Sequence, residues 1–266
     1  MFVNGVEAAY HEGGFLPFNA EIAALVNYNQ YNKLTVLVNN ELNEAMLPAG
    51  TVTTLSNGKK MAVPYFDFYN YSGLQRPVKL LCLPKEQIVD FTVNHHLNGR
   101  DADVEYTVET NGSHNCIVEV YDKEGIKVAE SVGKKGNLHI ENVHLWDVHK
   151  SYLYHFVIRI MDNENVLDEY FEKIGVRVFE IKDGKFLLNG KSVYLKGFGK
   201  HEDSDLRGRG LDLVTIKRDY ECMKWIGANC FRTSHYPYAE EVYQMADEEG
   251  FLIIDEVPAV GFMESI

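Results

Sequence analysis

The sequence is short of cysteine, of basic clusters and of long apolar runs. Its 266 residues include only four cysteines, Cys82, Cys116, Cys222 and Cys230. They are widely spaced and form no Cys-x-x-Cys pair, so the usual zinc and dithiol spacings are excluded. They read as free, mostly buried thiols of a reducing compartment, which points to the cytoplasm. No run approaches the ~20 apolar residues that a membrane-spanning helix needs. The opening MFVNGVEAAYHEGG has neither a basic start nor an apolar core, so no signal peptide is expected. Net charge is −13, with no basic block. Neither nucleic acid nor an anionic membrane surface is therefore an expected partner. The same charge would not draw in an anionic small molecule over long range, so affinity for one must come from local groups.

What the chain does have is enough apolar residues, 45%, to build a core for two domains or one large one. Its most informative stretch runs from Asn229 to Gly261, NCFRTSHYPYAEEVYQMADEEGFLIIDEVPAVG. Asn229–Thr233 reads as a short buried strand. Pro237 suits the first turn of a helix, where its missing N–H would be unpaired anyway. Val242, Met245 and Ala246 share a helical face, and Gly250 is placed as the cap. Phe251–Ile254 is a continuous apolar run, expected of a strand covered on both faces. The unit is β–α–β, and its polar residues follow the strands. Arg232, Thr233, Ser234 and His235 follow the first, Asp255 and Glu256 the second. Chemistry in α/β folds gathers at such carboxyl ends. A structural ion pair of Arg232 with Asp255 or Glu256 is the plain alternative, and such a pair can also orient site residues.

These motifs resemble glycoside hydrolase family 2. The resemblance rests on Asn-x-Phe-Arg-Thr-Ser-His-Tyr-Pro, followed by a helix and Gly-Phe-Leu-Ile-Ile-Asp-Glu. Within that family, RTSHYPYAEE at Arg232–Glu241 and KGFGKHEDSDLRGRG at Lys196–Gly210 are similar to the β-glucuronidases. The resemblance implies a jelly-roll domain, an immunoglobulin-like domain and a TIM barrel, in that order. It also implies a homo-oligomeric enzyme that needs no cofactor and hydrolyses β-D-glucuronides with retention.

The rest of the chain is read against that order. Residues 1–83 are expected to be part of the jelly roll, the chain starting midway through it, with Met1 inside a strand. Leu34–Leu42 alternates as a strand should, Asn57-Gly58 is a hairpin tip, and Val78–Leu83 is a further strand. Between them, Val63–Pro77 carries five aromatics in seven residues around Asp67 and Asn70. Sugar sites use aromatic faces and carboxylates, although packing alone would also explain a long aromatic loop. In the β-glucuronidases the aspartate of this loop reaches across to the barrel and contacts the sugar, and Asp67 is the matching residue.

Residues 84–178 show seven to eight short alternating strands, the pattern of an immunoglobulin-like sandwich without its disulfide. Residues 179–266 are expected to form the first βα units of an incomplete TIM barrel. Hairpins turn at Asp183-Gly184 and Asn189-Gly190, and Val193–Gly197 is the expected first barrel strand. The polar loop after it carries His201, Glu202, Asp203 and Asp205. Their spacing matches no standard metal ligand set, so ion pairs with Arg207 and Arg209 are expected instead. Asp212 can cap the next helix, whose Ile216, Tyr220, Met223 and Gly227 follow helical spacing. Gly261–Ser265 adds no element.

Roughly 85 residues follow Phe179, whereas a full barrel takes about 250. A retaining glycosidase needs two carboxylates about 5 Å apart. In family 2 both are glutamates of later strands, so this chain is expected to lack a catalytic pair and to be inactive alone. Asp255 and Glu256 cannot replace them, because neighbours on a strand face opposite ways. The residues implied to meet substrate are Asp67 and His235, with Arg232, Asp255 and Glu256 in support. The alternative is a non-catalytic sugar-binding chain or a structural subunit that completes its barrel with a second polypeptide.

Overall fold

Little of the first 83 residues is regular. The structure, a computed structural model, describes residues 1–260, so the expectation for Gly261–Ser265 lies outside the described residues. Strand β1 (Phe2–Val3) pairs antiparallel with β2 (Val6–Glu7) and β3 (Leu34–Thr35). Strands β4 (Gly50–Thr54) and β5 (Lys60–Pro64) make a hairpin across Asn57-Gly58, as the turn residues require. Two expected strands do not form. Of Leu34–Leu42 only the first two residues are extended in a sheet, and Val78–Leu83 carries no strand. Val78, Leu80, Leu81 and Leu83 are all exposed. Alternation marks a segment as able to pair, but a strand needs a neighbour for its backbone groups.

The middle of the chain is a two-sheet sandwich. Strands β6 (Ile88–Asn98) and β7 (Asp101–Thr110) are followed by β8 (Asn115–Tyr121) and β9 (Lys127–Val132). Then come β10 (Lys135–Ile140), β11 (Tyr154–Asp162) and β12 (Asn165–Ile174). One sheet has the order β10-β7-β6 and the other β12-β11-β8-β9, all antiparallel. Alternation explains the fold directly. Ala102, Val104, Tyr106 and Val108 of β7 point inward, as do Cys116, Val118 and Val120 of β8 and Phe156, Ile158 and Ile160 of β11. The polar residues between them face out. Cys116 is buried in this core and Cys230 further on. Cys82 and Cys222 are exposed, so half of the expectation about buried thiols fails; all four are free. Because its two sheets close on one core, limited proteolysis is expected to leave a resistant fragment of roughly residues 84–178. A protected fragment centred on residues 195–254 would overturn that.

The last part is α/β. Strands β13 (Phe179–Lys182), β14 (Lys185–Leu188) and β15 (Lys191–Ser192) form two hairpins with turns at the two expected positions. Next come β16 (Gly197–Lys200), helix α1 (Leu213–Trp225), β17 (Cys230–Thr233), helix α2 (Glu240–Glu249) and β18 (Leu252–Ile254). The three strands are parallel, in the order β16-β17-β18. The first barrel strand thus lies at Gly197–Lys200, not Val193–Gly197. Its glycines explain the shift. A Cβ on Gly197 would lie 2.0 Å from the Cys230 carbonyl oxygen, and one on Gly199 2.5 Å from Ser234 Oγ. Close backbone approach is what glycine permits in a strand.

Asp212 caps α1 as expected, accepting from the amides of Val214 at 3.1 Å and Thr215 at 3.3 Å. Ile216, Tyr220 and Met223 are its buried face. Helix α2 begins at Glu240, three residues beyond Pro237, so the expected first turn is corrected. The reason is a tertiary cap: the amide of Ala239 donates to Glu202 Oε2 at 3.3 Å, and Ala239 has no side chain that could cap. Gly250 ends the helix at φ 74°. Strand β18 is not covered on both faces as expected, since Ile254 is half exposed. It is the edge of the sheet among the described residues.

The sandwich grips α2. Trp146, fully buried, donates from Nε1 to the Asp247 carbonyl at 2.7 Å. Arg177 lies 4.5 Å over the indole and pairs with the Asp247 carboxylate at 3.2 Å. The His149 amide donates to the Gly250 carbonyl at 2.9 Å.

Candidate functional site

The polar groups collect where the three parallel strands end. His201 follows β16, His235 follows β17, and Asp255 and Glu256 follow β18. Parallel strands in register carry their next residues to one edge, so this gathering is a consequence of topology. The imidazoles of His201 and His235 lie 5.5 Å apart, edge to face. Burial pushes the His201 imidazole below its ordinary value. The Ser234–His235 peptide bond is cis.

The aromatic loop reaches this edge from the N-terminal part. Asp67 Oδ1 lies 3.7 Å from His235 Nε2, although 168 positions separate the two residues. The Asp67 side chain is 83% exposed, which leaves its carboxylate free to accept from a hydroxyl. Its neighbours are the anchors. Phe66 is buried, and Phe68 stacks on His235 with ring centroids 6.1 Å apart and 21° between planes. So the loop does pack, and packing delivers the carboxylate.

Arg232, Asp255 and Glu256 form the base of the site. Arg232 pairs with Glu256 and not with Asp255. Glu256 Oε2 also lies 3.3 Å from His235 Nδ1, so the imidazole sits between Asp67 and Glu256. Asp255 turns the other way. Its Oδ1 accepts from Thr233 Oγ1 and from the Tyr243 hydroxyl, both at 2.7 Å. Burial pushes the Tyr243 phenol up to about 12, and the bond to Asp255 adds to the shift, so it remains a donor at neutral pH. The two adjacent carboxylates are thus committed to different partners. Tyr243, one of those partners, carries no sequence signal; it lies on α2 beside residues that read only as core.

None of the ion pairs expected within the loop after β16 forms among the described residues. Arg207 pairs instead with Asp212, at 3.2 Å, and Glu202 with Arg76, because both groups find partners outside the loop's own sequence. Arg209 pairs with no carboxylate among the described residues. Its guanidinium instead lies among the rings of Phe15, Phe68, Tyr71 and Tyr236. Asp203 accepts from the Tyr71 hydroxyl at 3.2 Å, and burial pushes the Tyr236 phenol up to about 12.

A sandwich followed by parallel βα units, with polar groups at their carboxyl edge and a loop from a preceding β segment over them, is a multidomain β and α/β build. The model of the glycosyl hydrolases family 2 TIM barrel domain matches residues 179–265, and a second model of glycosyl hydrolases family 2 matches residues 81–177. The chain belongs to glycosyl hydrolase family 2. A β-glucuronidase of Paenibacillus borealis is 42% identical over 269 residues, covering 98% of this chain and 45% of the relative. One of Canis lupus familiaris is 41% identical over 281 residues, 99% of this chain and 43% of the relative. The crystal structure of the Ruminococcus gnavus β-glucuronidase superposes with a TM-score of 0.93 at 56% identity, covering 99% of this chain and 45% of that one. The same enzyme in complex with D-glucuronic acid matches equally well, at TM-score 0.93 and 56% identity over 98% of this chain and 46% of that one. The chain spans less than half the length of these relatives.

Proposed function

We propose that the chain forms the sugar-binding edge of a β-glucuronidase that hydrolyses β-D-glucuronides with retention. The observation that carries this is the approach of Asp67 to His235 across two structural units. A carboxylate and an imidazole side by side offer the acceptors and the donor that neighbouring sugar hydroxyls need. The likeness to the R. gnavus enzyme, which has been captured with D-glucuronic acid, supports the same choice of sugar. Arg232, Asp255 and Glu256 hold the floor in place. Neither of these two carboxylates is proposed as acid/base or nucleophile, because each is held by a different set of donors. By family resemblance the catalytic pair consists of glutamates on later barrel strands. Homo-oligomeric assembly belongs to the proposal on the same ground. Four free cysteines support a reducing compartment, so cytoplasmic residence is proposed with it.

A chromogenic β-glucuronide tests the reading. The full-length protein carrying these residues is expected to release the chromophore from the β-glucuronide and not from the matching β-galactoside. The 266-residue chain by itself is expected to give no turnover above a buffer blank. Turnover by that chain, abolished by Glu256→Gln, would instead assign the chemistry to the carboxylates of β18.

A further inference from the structure

The geometry points to Arg209 as a positioning residue that fixes the gap between Asp67 and His235, an inference that rests on the proposed sugar site. Arg209 lies between β16 and α1 and is only 5% exposed. A guanidinium is charged at every accessible pH, so burying it without a counter-ion is costly. Among the described residues no carboxylate pairs with it. Its Nη2 donates to the Tyr69 carbonyl at 3.0 Å, and its buried Nε has no partner. The rest of its environment is aromatic. The guanidinium carbon lies 4.2 Å from the Tyr236 ring centroid, 4.9 Å from Phe15, 5.4 Å from Phe68 and 5.6 Å from Tyr71.

Those four rings come from three separate stretches of chain, and two of them adjoin the site. Phe68 follows Asp67, and Tyr236 follows His235. The Tyr69 carbonyl that Arg209 holds lies two residues from Asp67. One side chain thus contacts both elements that must be held in register, and it does so by stacking on one and by stacking and hydrogen bonding on the other. Arginine suits this better than lysine. Its planar, weakly hydrated group can lie against several ring faces at once, whereas an ammonium is a compact and strongly hydrated point charge. An apolar residue would fill the space but would lose the bond to the loop carbonyl. A residue that only stabilised the fold would affect Asp67 and His235 no more than any other part of the protein.

Two measurements separate these roles. In the full-length protein, Arg209→Met is expected to lower kcat/KM per folded molecule by about ten-fold, with Arg209→Lys intermediate. Combined with Asp67→Ala, it should add less than its own single effect, because part of its action runs through that carboxylate and only the part through His235 remains. Fully additive losses in the double variant would overturn the proposal, and so would an unchanged kcat/KM in Arg209→Met. The second measurement needs no substrate and so does not depend on which sugar is bound. Amide hydrogen exchange at residues 65–71 should speed up in Arg209→Lys, while the strands of the sandwich keep wild-type protection. Unchanged exchange in the loop, or faster exchange everywhere, would overturn the positioning role even if glucuronide hydrolysis were never observed. Loss of β-glucuronide turnover in the wild type alone would overturn the choice of substrate and leave this prediction standing on the exchange data.

Discussion

Asp67→Ala in the full-length protein should lower kcat/KM for a β-glucuronide by about 10- to 150-fold, equivalent to about 1.5–3 kcal/mol. His235→Ala should cost a similar amount. The size follows from the bond being lost, a hydrogen bond to a charged or strongly polar group within a largely formed site. The two variants should differ in stability. Asp67 is exposed and its 3.7 Å contact with His235 is too long to be a hydrogen bond, so its removal should leave the melting temperature unchanged. His235 is mostly buried between Phe68, His201 and Glu256, so its removal should also loosen that edge. Steady-state kinetics beside a thermal melt decide the matter. An Asp67→Ala protein that stays folded with unchanged kcat/KM would mean that the loop serves packing alone.

Trp146→Ala should have the largest effect on stability, about 3–5 kcal/mol. The indole is fully buried, packs against Gly175 and holds α2 through the Asp247 carbonyl. Asn189 also donates to the Trp146 carbonyl, at 2.9 Å, so three parts of the chain meet at this residue. The variant should therefore do more than shift the denaturation midpoint. The α/β part should unfold in a separate, earlier transition, since its grip on the sandwich is lost. Circular dichroism at helix and sheet wavelengths would show two midpoints where the wild type shows one. A single transition shifted by less than about 0.5 kcal/mol would show that the joint is carried by the ion pairs around it.

What could be read from the sequence divides along physical lines. The sandwich was readable throughout, because each strand alternates and its turn residues are local. The cap at Asp212, the stop at Gly250 and the two hairpin turns were readable for the same reason. The misreadings concern features set by distant partners. Leu34–Leu42 and Val78–Leu83 alternate or are apolar, but pattern cannot say whether a neighbouring strand is present. Pro237 looked like a helix start, yet the helix begins where Glu202, 37 positions away, accepts from Ala239. Ion pairs were expected of Arg209 from the acidic residues around it in sequence. Its actual neighbours come from residues 15, 68–71 and 236, and no local pattern announces them. The placement of Asp67 beside His235 came from family resemblance, since spacing alone cannot relate residues so far apart.

The separation of Asp67 from His235 also bears on the order in which the protein is made. At about 5–20 residues per second, the aromatic loop leaves the ribosome roughly 10–30 s before the strand end it will meet. The sandwich between them is a local fold and can form during that interval. The loop cannot, because its partners Arg209 and Tyr236 do not yet exist. Phe66, Phe68, Tyr69 and Tyr71 are then a cluster of uncovered rings on a nascent chain, next to the open edge of β5. Transiently uncovered apolar surface beside an unpaired strand edge is a point of self-association. Slower translation between residues 71 and 209 would lengthen the exposure and should lower soluble yield, even though no residue of the finished protein had changed.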